Sequence, residues 1–179
     1  MKYQEIIDFW FTEIESKLWW VKDDQFDQQL RDKFGELHAS AVKCELFSWR
    51  EHPEGRLAEV IVLDQFSRNM FRGSPKSFAA DPLALALAQE AIGGGDDMKL
   101  DKEKRGFLYM PYMHSESAAI HQVAVELFSQ PDGAGSLEFE LKHKEIIDRF
   151  GRYPHRNEVL GRESTPEEIE FLKGPGSSF

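Results

Sequence analysis

Residues 56–71, RLAEVIVLDQFSRNMF, determine the fold that we expect for this chain. The turn formed by residues 60–63 is apolar on every side of a helix, and a helix that is apolar all round is buried. We therefore predict a helix from about Arg56 to Phe71 at the centre of the molecule, with other helices packed around it.

Apolar residues recur at helical spacing along nearly all of the remaining chain, without strand-like alternation of any length. Six or more helices joined by short loops indicate an all-α fold, a single-domain antiparallel helical bundle over residues 1–179. No sequence repeat of tetratricopeptide length is present. The predicted helices span approximately residues 3–14, 23–44, 56–71, 81–92, 101–129, 137–150 and 165–173.

Several residues predict where these helices begin, end or bend. Asp81 precedes a proline and is expected to cap the fourth helix. Pro111 predicts a kink or a break within residues 101–129, because proline lacks a backbone donor and clashes with the preceding turn. Gly151 is expected to end a helix in the left-handed conformation, and Thr165 with Glu168 predicts a capping box.

The apolar stripe of the second helix ends on Cys44, which we therefore expect in the core. As the single cysteine, Cys44 permits neither an internal disulfide nor a thiolate zinc site. Further along the chain, Pro131, Gly133 and Gly135 predict a loop.

The charge of the chain limits its partners. It carries 22 Lys and Arg against 32 Asp and Glu, a net charge of −10. Such a charge repels phosphate backbones, so we expect no nucleic-acid partner and no binding to anionic membranes. No apolar run approaches the roughly 18 residues of a membrane span, and the N-terminus lacks a signal-peptide pattern, so we expect a cytoplasmic protein.

Asp64 and Arg68 share a helical stripe with Leu57 and Ile61, which places both charged residues toward the interior. At a spacing of four residues the two can pair, and a buried pair needs further hydrogen-bond partners. Two interpretations stay open: a structural ion pair, or the floor of a polar pocket.

A second group of candidates follows Pro111. His114 and Glu116 lie beside the expected irregularity and are residue types that act as general bases near neutral pH. Both types also occur in helices that catalyse nothing. No His-Glu-x-x-His motif is present, so we expect no metal site.

A third group is basic. Residues 142–162 carry a local charge of +3 within an acidic chain. Arg149, Arg152, His155 and Arg156 could present donors to a carboxylate or phosphate. Alternatively, they pair with the surplus acids and join the C-terminal segment to the bundle.

Three ordered motifs carry a resemblance to a known family. They are VLDQFSRN at residues 62–69, FLYMP with HSE within 107–116, and RFGRYPHRN with LGRESTPEE within 149–168. Over nearly the whole chain, the sequence resembles the bacterial domain-of-unknown-function family 924 (DUF924). The resemblance implies a tetratricopeptide-like, right-handed stack of antiparallel helix pairs and implies no activity. His121 stands where the resemblance implies glutamine.

The leading hypothesis is a polar, partly buried pocket that binds a small anionic metabolite or peptide without a cofactor. A second hypothesis is a metal-independent enzyme that uses His114 or Glu116 as general base in that pocket. A third is a scaffold whose concave face holds a partner peptide. A purely structural role is also open. The expected pocket residues are Asp64, Arg68, His114, Glu116, Arg149, Arg152, His155 and Arg156.

Overall fold

The computed structural model describes residues 1–130 and 136–178, and the loop expected at Pro131, Gly133 and Gly135 lies outside them. Within the described residues the regular structure is helical and no strand is present, so the chain is all-α. The α-helices are α1 Tyr3–Asp8, α2 Asp24–Val42, α3 Pro53–Ile61, α4 Ser67–Met70, α5 Asp81–Gly93, α6 Lys102–Met113, α7 Ala118–Phe128, α8 Leu137–Phe150 and α9 Pro166–Phe171.

The predicted central helix is formed by α3 and α4, which a π-helical turn over Val62–Phe66 connects without a break. Leu57, Ile61 and Leu63 have no exposed surface. α3 packs against α1, α5 and α6, and α4 packs against α2. The prediction of a buried central helix is confirmed, although the extra residue of the π-helical turn was not predicted.

A second, smaller apolar cluster places the C-terminal segment. Ile146 and Ile147 of α8 pack with Tyr153, and Phe150 and Phe171 cover them. Because Tyr153 precedes a short 3₁₀ turn, this cluster fixes the turn against the end of α8. The right-handed, tetratricopeptide-like stacking stays a prediction.

Two predicted helix ends are confirmed. Gly151 follows α8 with a φ of 68°, in the left-handed region that glycine adopts without strain. Thr165 caps α9: its side chain accepts a hydrogen bond from the Glu168 amide, and Glu168 accepts one from the Thr165 amide.

The break expected at Pro111 lies further along the chain. α6 continues through Pro111 to Met113, and α7 begins at Ala118. Residues 114–117 form the break, so His114 lies at the irregularity rather than inside a helix.

Two sequence expectations are wrong. Cys44 is exposed, because α2 ends at Val42 and Cys44 adopts a φ of 60° in the following turn. Asp81 makes no capping hydrogen bond; it is the first residue of α5, and Ala80 holds the cap position. No helix among the described residues combines the length and apolar character needed to cross a membrane.

Candidate functional site

A cavity of about 690 Å³ lies where segments from much of the chain meet. This volume is typical of small-molecule sites. The wall is formed by the segment before α2, the π-helical turn with α4, the loop after α4, the end of α6, the beginning of α8 and the 3₁₀ turn Pro154–Arg156.

The wall is cationic and apolar, and none of the described residues that line it is Asp or Glu. Its basic side chains are Lys22, Arg68, Arg72, Arg156, His114, His143 and His155. Its large apolar side chains are Trp19, Trp20, Val21, Phe78, Met110, Met113, Phe139 and Tyr153.

Asp64 lies in the π-helical turn, behind this wall, with 1% of its side chain exposed. Its Oδ1 is 2.8 Å from His114 Nδ1 and 3.0 Å from Arg68 Nη1, and its Oδ2 accepts a 2.6 Å hydrogen bond from Gln65 Nε2. Burial alone would raise the pKa of Asp64, but Arg68 and His114 outweigh it and hold the pKa well below its usual range. Asp64 is therefore an ionised and well-partnered carboxylate.

Asp81 connects two arginines of the wall. Arg68 donates two hydrogen bonds to it, Nη1 to Oδ1 at 2.9 Å and Nη2 to Oδ2 at 3.0 Å. Arg156 Nη1 lies 3.4 Å from the same Oδ2. Parallel donation of this kind fixes the plane of the Arg68 guanidinium as well as its position.

Arg72, the third arginine of the wall, also has its own carboxylate. Its Nε and Nη2 donate to Asp27 at 2.7 and 3.1 Å. Asn69 Nδ2 donates to Asp27 as well, at 2.8 Å. The charge of Arg72 is thus balanced on the side away from the cavity.

Arg156 is the most buried cation of the cavity, with 6% of its surface exposed. Its guanidinium carbon lies over the rings of Phe78 and Tyr153, 4.5 Å from each centroid. Nη2 donates to the His114 carbonyl at 3.0 Å, whereas Nε is buried without a hydrogen-bond partner among the described residues. Burial, followed by the nearby charge of Arg68, lowers the pKa of Arg156. The negative charge near Arg156 therefore does not fully balance the positive charge of its guanidinium.

All three histidines of the wall have lowered pKa values. Burial is the main cause in each, lowering the pKa of His155 to about 4 and that of His143 to about 3. The pKa of His114 is also lowered, by burial and by Arg68, despite the contact with Asp64. Near neutral pH these imidazoles are uncharged, and His155 Nδ1 is buried without a partner among the described residues.

His114 and Asp64 form a dyad with the geometry of a general base. Because Asp64 is ionised, it accepts a hydrogen bond from His114 Nδ1, which holds the neutral ring with its lone pair on Nε2. The ring lines the cavity. Such a dyad can take up a proton at Nε2, since the adjacent carboxylate stabilises the imidazolium that results.

Four of the expected pocket residues do not line the cavity: Asp64 lies behind its wall, and Glu116, Arg149 and Arg152 lie elsewhere. Glu116 accepts hydrogen bonds from Arg162 Nη1 and Nη2 at 2.6 and 2.9 Å and from the Tyr153 amide at 2.7 Å. Arg149 pairs with Glu167 and Arg152 with Glu168. These contacts join the C-terminal segment to the bundle, the alternative that the basic run left open.

His121 is also away from the cavity wall and has no exposed surface. Its Nδ1 lies 2.7 Å from Glu140 Oε1, and its Nε2 lies 2.9 Å from the Ser115 carbonyl. Two acceptors around one imidazole require two protons on the His121–Glu140 pair, whichever residue carries the second. This pair is a feature of the interior between α7 and α8.

Sequence reasoning missed Asp81, Phe78, Tyr153 and Arg162 as parts of this region. Asp81 before a proline was fully explained as a helix cap, and Phe78 and Tyr153 resemble ordinary core residues. The sequence held a signal for Arg162 alone, as a member of the basic run. No group of three or more His, Cys, Asp or Glu among the described residues is arranged to hold a metal ion.

Comparison with known proteins gives two matches. The family model described as "Bacterial protein of unknown function (DUF924)" matches residues 6–176. A solved structure of a protein of unknown function from Agrobacterium tumefaciens is similar, with 43% sequence identity, a TM-score of 0.90, and coverage of 96% of this chain and 97% of that one. A search of curated proteins gave no match. The chain therefore belongs to the DUF924 family of bacterial proteins.

Proposed function

We propose that this protein binds a small organic anion in the cavity, and that Arg68 and Arg156 hold its anionic group. The observation that carries the proposal is the wall itself, which presents arginine, lysine and histidine and, among its described residues, no carboxylate. Asp64 and Asp81 pair with the arginines but do not line the cavity, so an entering anion meets donors and no carboxylate of the described wall.

The state of Arg156 supports the same conclusion. A buried donor without a partner costs about 1–3 kcal/mol, and Arg156 Nε is such a donor. A small shift of the guanidinium toward the cavity would allow a ligand oxygen to accept from Nε. The rings of Phe78 and Tyr153 hold the guanidinium in place through cation–π contacts.

Thermal-shift measurements against carboxylates, phosphates, nucleotides and short peptides test the proposal, at constant ionic strength. A ligand that binds only the folded state raises the Tm with the logarithm of its concentration. We expect an anion to raise the Tm of the parent and to lose this effect in Arg156→Met. Arg149→Met, which removes an exposed arginine outside the cavity, is the matched control and should respond like the parent.

Arg156→Lys extends the test if Arg156→Met is unstable, because it keeps the charge and removes the planar fork. Failure of every anion to raise the Tm would contradict the proposal. An unchanged response in both Arg156 variants would also contradict it. The partner-peptide hypothesis has no comparable contact in its favour, so peptides enter only as one arm of the screen.

A second candidate function is proton abstraction from a bound anion or water by His114, favoured by its 2.8 Å contact with Asp64. Hydrolysis of a panel of carboxylic esters tests it: water would give a proton to His114 Nε2 and its oxygen to the acyl carbon, the bond from that carbon to the alcohol oxygen would break, and the His114 imidazolium would return the proton to the departing alkoxide. We expect His114→Gln to abolish turnover and Glu116→Gln to retain it. Because the pKa of His114 is lowered, the rate should rise with pH through a midpoint below 6.5. Turnover that survives in His114→Gln would exclude this role.

A further inference from the structure

We infer that the ligand of this cavity is a monocarboxylate with an apolar body, bound with its carboxylate at the buried end and its body at the mouth. This inference rests on the proposed function and narrows its ligand class. The polarity of the wall changes along the cavity, and that change orients the ligand.

Exposure separates the two ends of the cavity. Arg156 is 6% exposed, whereas Trp20, Phe139 and Val21 are 64%, 55% and 48% exposed, although all four line the same space. The buried end thus carries Arg156, whereas the open end carries these three apolar side chains together with the exposed Lys22. Large apolar side chains that remain exposed beside a cavity are typical of a surface that a ligand covers.

The two tryptophans near the mouth, Trp19 and Trp20, are held in place without a ligand. Trp19 Nε1 donates to the Trp10 carbonyl at 3.0 Å, and the Trp19 ring contacts Phe107 at a centroid distance of 4.9 Å. Trp20 stacks on Phe107, at 5.9 Å and an angle of 17°. Binding therefore orders few side chains, and most of the gain from covering these rings remains as affinity.

The charges near the buried end favour a monoanion over a dianion. Arg68 and Arg156 are already shared with Asp64 and Asp81, and Arg72 is paired with Asp27. The wall histidines are neutral near pH 7. Since each of the three arginines has a carboxylate partner, the site can accept one negative charge with less repulsion than the two of a phosphate monoester.

Titration calorimetry at pH 7.5 with acetate, butanoate, hexanoate and octanoate tests the inference, with octyl phosphate as the dianionic comparison. We expect the Kd to fall by about fourfold for each added methylene, because this factor corresponds to the free energy of transferring one methylene group out of water. Trp20→Ser and Phe139→Ser should flatten this dependence. Phe47→Ser removes an equally exposed ring outside the cavity and should keep the dependence.

Each alternative outcome has a defined meaning. Equal affinity from acetate to octanoate, lost in Arg156→Met, would overturn this inference and leave the proposed function intact. The same holds for tighter binding of octyl phosphate than of octanoate, or for a chain-length dependence that Trp20→Ser and Phe139→Ser do not alter. Absence of binding by every carboxylate and by octyl phosphate would overturn this inference; if no anion of the thermal-shift screen raises the Tm either, the proposed function is overturned with it.

Discussion

Arg68 and Asp81 form a bidentate ion pair, with both terminal nitrogens of the arginine within 3.0 Å of the two carboxylate oxygens. The pair joins α4 to the first residue of α5. Arg156 reaches the same carboxylate from the C-terminal segment at 3.4 Å. One aspartate thus contacts two cations of the cavity without lining the cavity itself.

Asp81→Asn should destabilise the protein and tighten anion binding. It leaves two largely buried guanidiniums near each other without their shared anion, and removing one partner of a buried ion pair costs about 3–5 kcal/mol. We expect the free energy of unfolding in urea to fall by about 3 kcal/mol and the Kd for acetate to fall. The exposed pair of Lys144 and Asp148 provides the control: Asp148→Asn should change stability by at most about 1 kcal/mol. An Asp81→Asn variant as stable as the parent would show that the pair does not hold the two arginines.

The helical fold was predictable from local patterns, whereas the partners of the site were not. Apolar periodicity around Leu57 and Ile61 is a property of neighbouring residues, so it indicated the central helix correctly. The polar residues in that apolar setting, Asp64 and Arg68, were identified for the same reason. Asp81 was not, because a carboxylate before a proline already satisfied the rules for a helix start.

The residues that sequence reasoning placed in the pocket but that lie elsewhere have a common cause. Glu116, Arg149 and Arg152 each have an opposite charge nearby in space that is 16 to 46 residues away in the chain. The sequence shows which side chains can carry a charge. Which of them form pairs at such separations depends on how the C-terminal segment packs against the rest of the chain. The sequence therefore could not show whether Glu116 pairs with Arg162 or with a ligand, and the structure shows the pair with Arg162.

Glu116→Gln should weaken the fold and leave carboxylate affinity unchanged. Burial alone would raise the pKa of Glu116, but hydrogen bonds from Arg162 and the Tyr153 amide outweigh it and lower the pKa. Because the pKa of Glu116 is lower in the folded than in the unfolded protein, this carboxylate stabilises the fold at pH values above its unfolded pKa, which is near 4.5. The contribution is lost as the pH falls through the pKa of the folded state. At pH 7, urea unfolding should show a loss of about 2 kcal/mol, since hydrogen bonds to a charged group contribute about 1.5–3 kcal/mol.

Calorimetry with butanoate separates this structural role from a role in the pocket. Arg162→Met should reproduce the loss of stability, because it removes the other side of the same pair. A tenfold rise in the Kd for butanoate in Glu116→Gln, with parent-like stability, would instead place Glu116 at the ligand.

Cys44→Gly should stabilise the protein. Cys44 adopts a φ of 60°, a conformation that costs an ordinary L-residue about 1–2 kcal/mol and glycine very little. The side chain is exposed, so its removal leaves no cavity. We expect the free energy of unfolding to rise by about 1 kcal/mol. Cys44→Ala, which keeps the β-carbon and removes the thiol, should show no such gain; equal stabilisation by both variants would point to the thiol instead of the backbone.

His155 and His143 should make the protein sensitive to mild acid. Both pKa values lie far below 6.5 in the folded state, mainly because of burial, so the unfolded chain takes up protons first as the pH falls. The stability present above pH 6.5 is therefore lost progressively toward the folded values near 4 and 3. Between pH 7 and pH 5 each histidine should lower the free energy of unfolding by about 2 kcal/mol, at 1.36 kcal/mol per unit of pKa difference.

Urea unfolding of His155→Gln at both pH values should show a correspondingly smaller decrease. A variant of the exposed His52, His52→Gln, should follow the parent. An identical decrease in the parent and in His155→Gln would mean that His155 is protonated as readily in the folded protein as in the unfolded chain, and that the cavity around it is open to water.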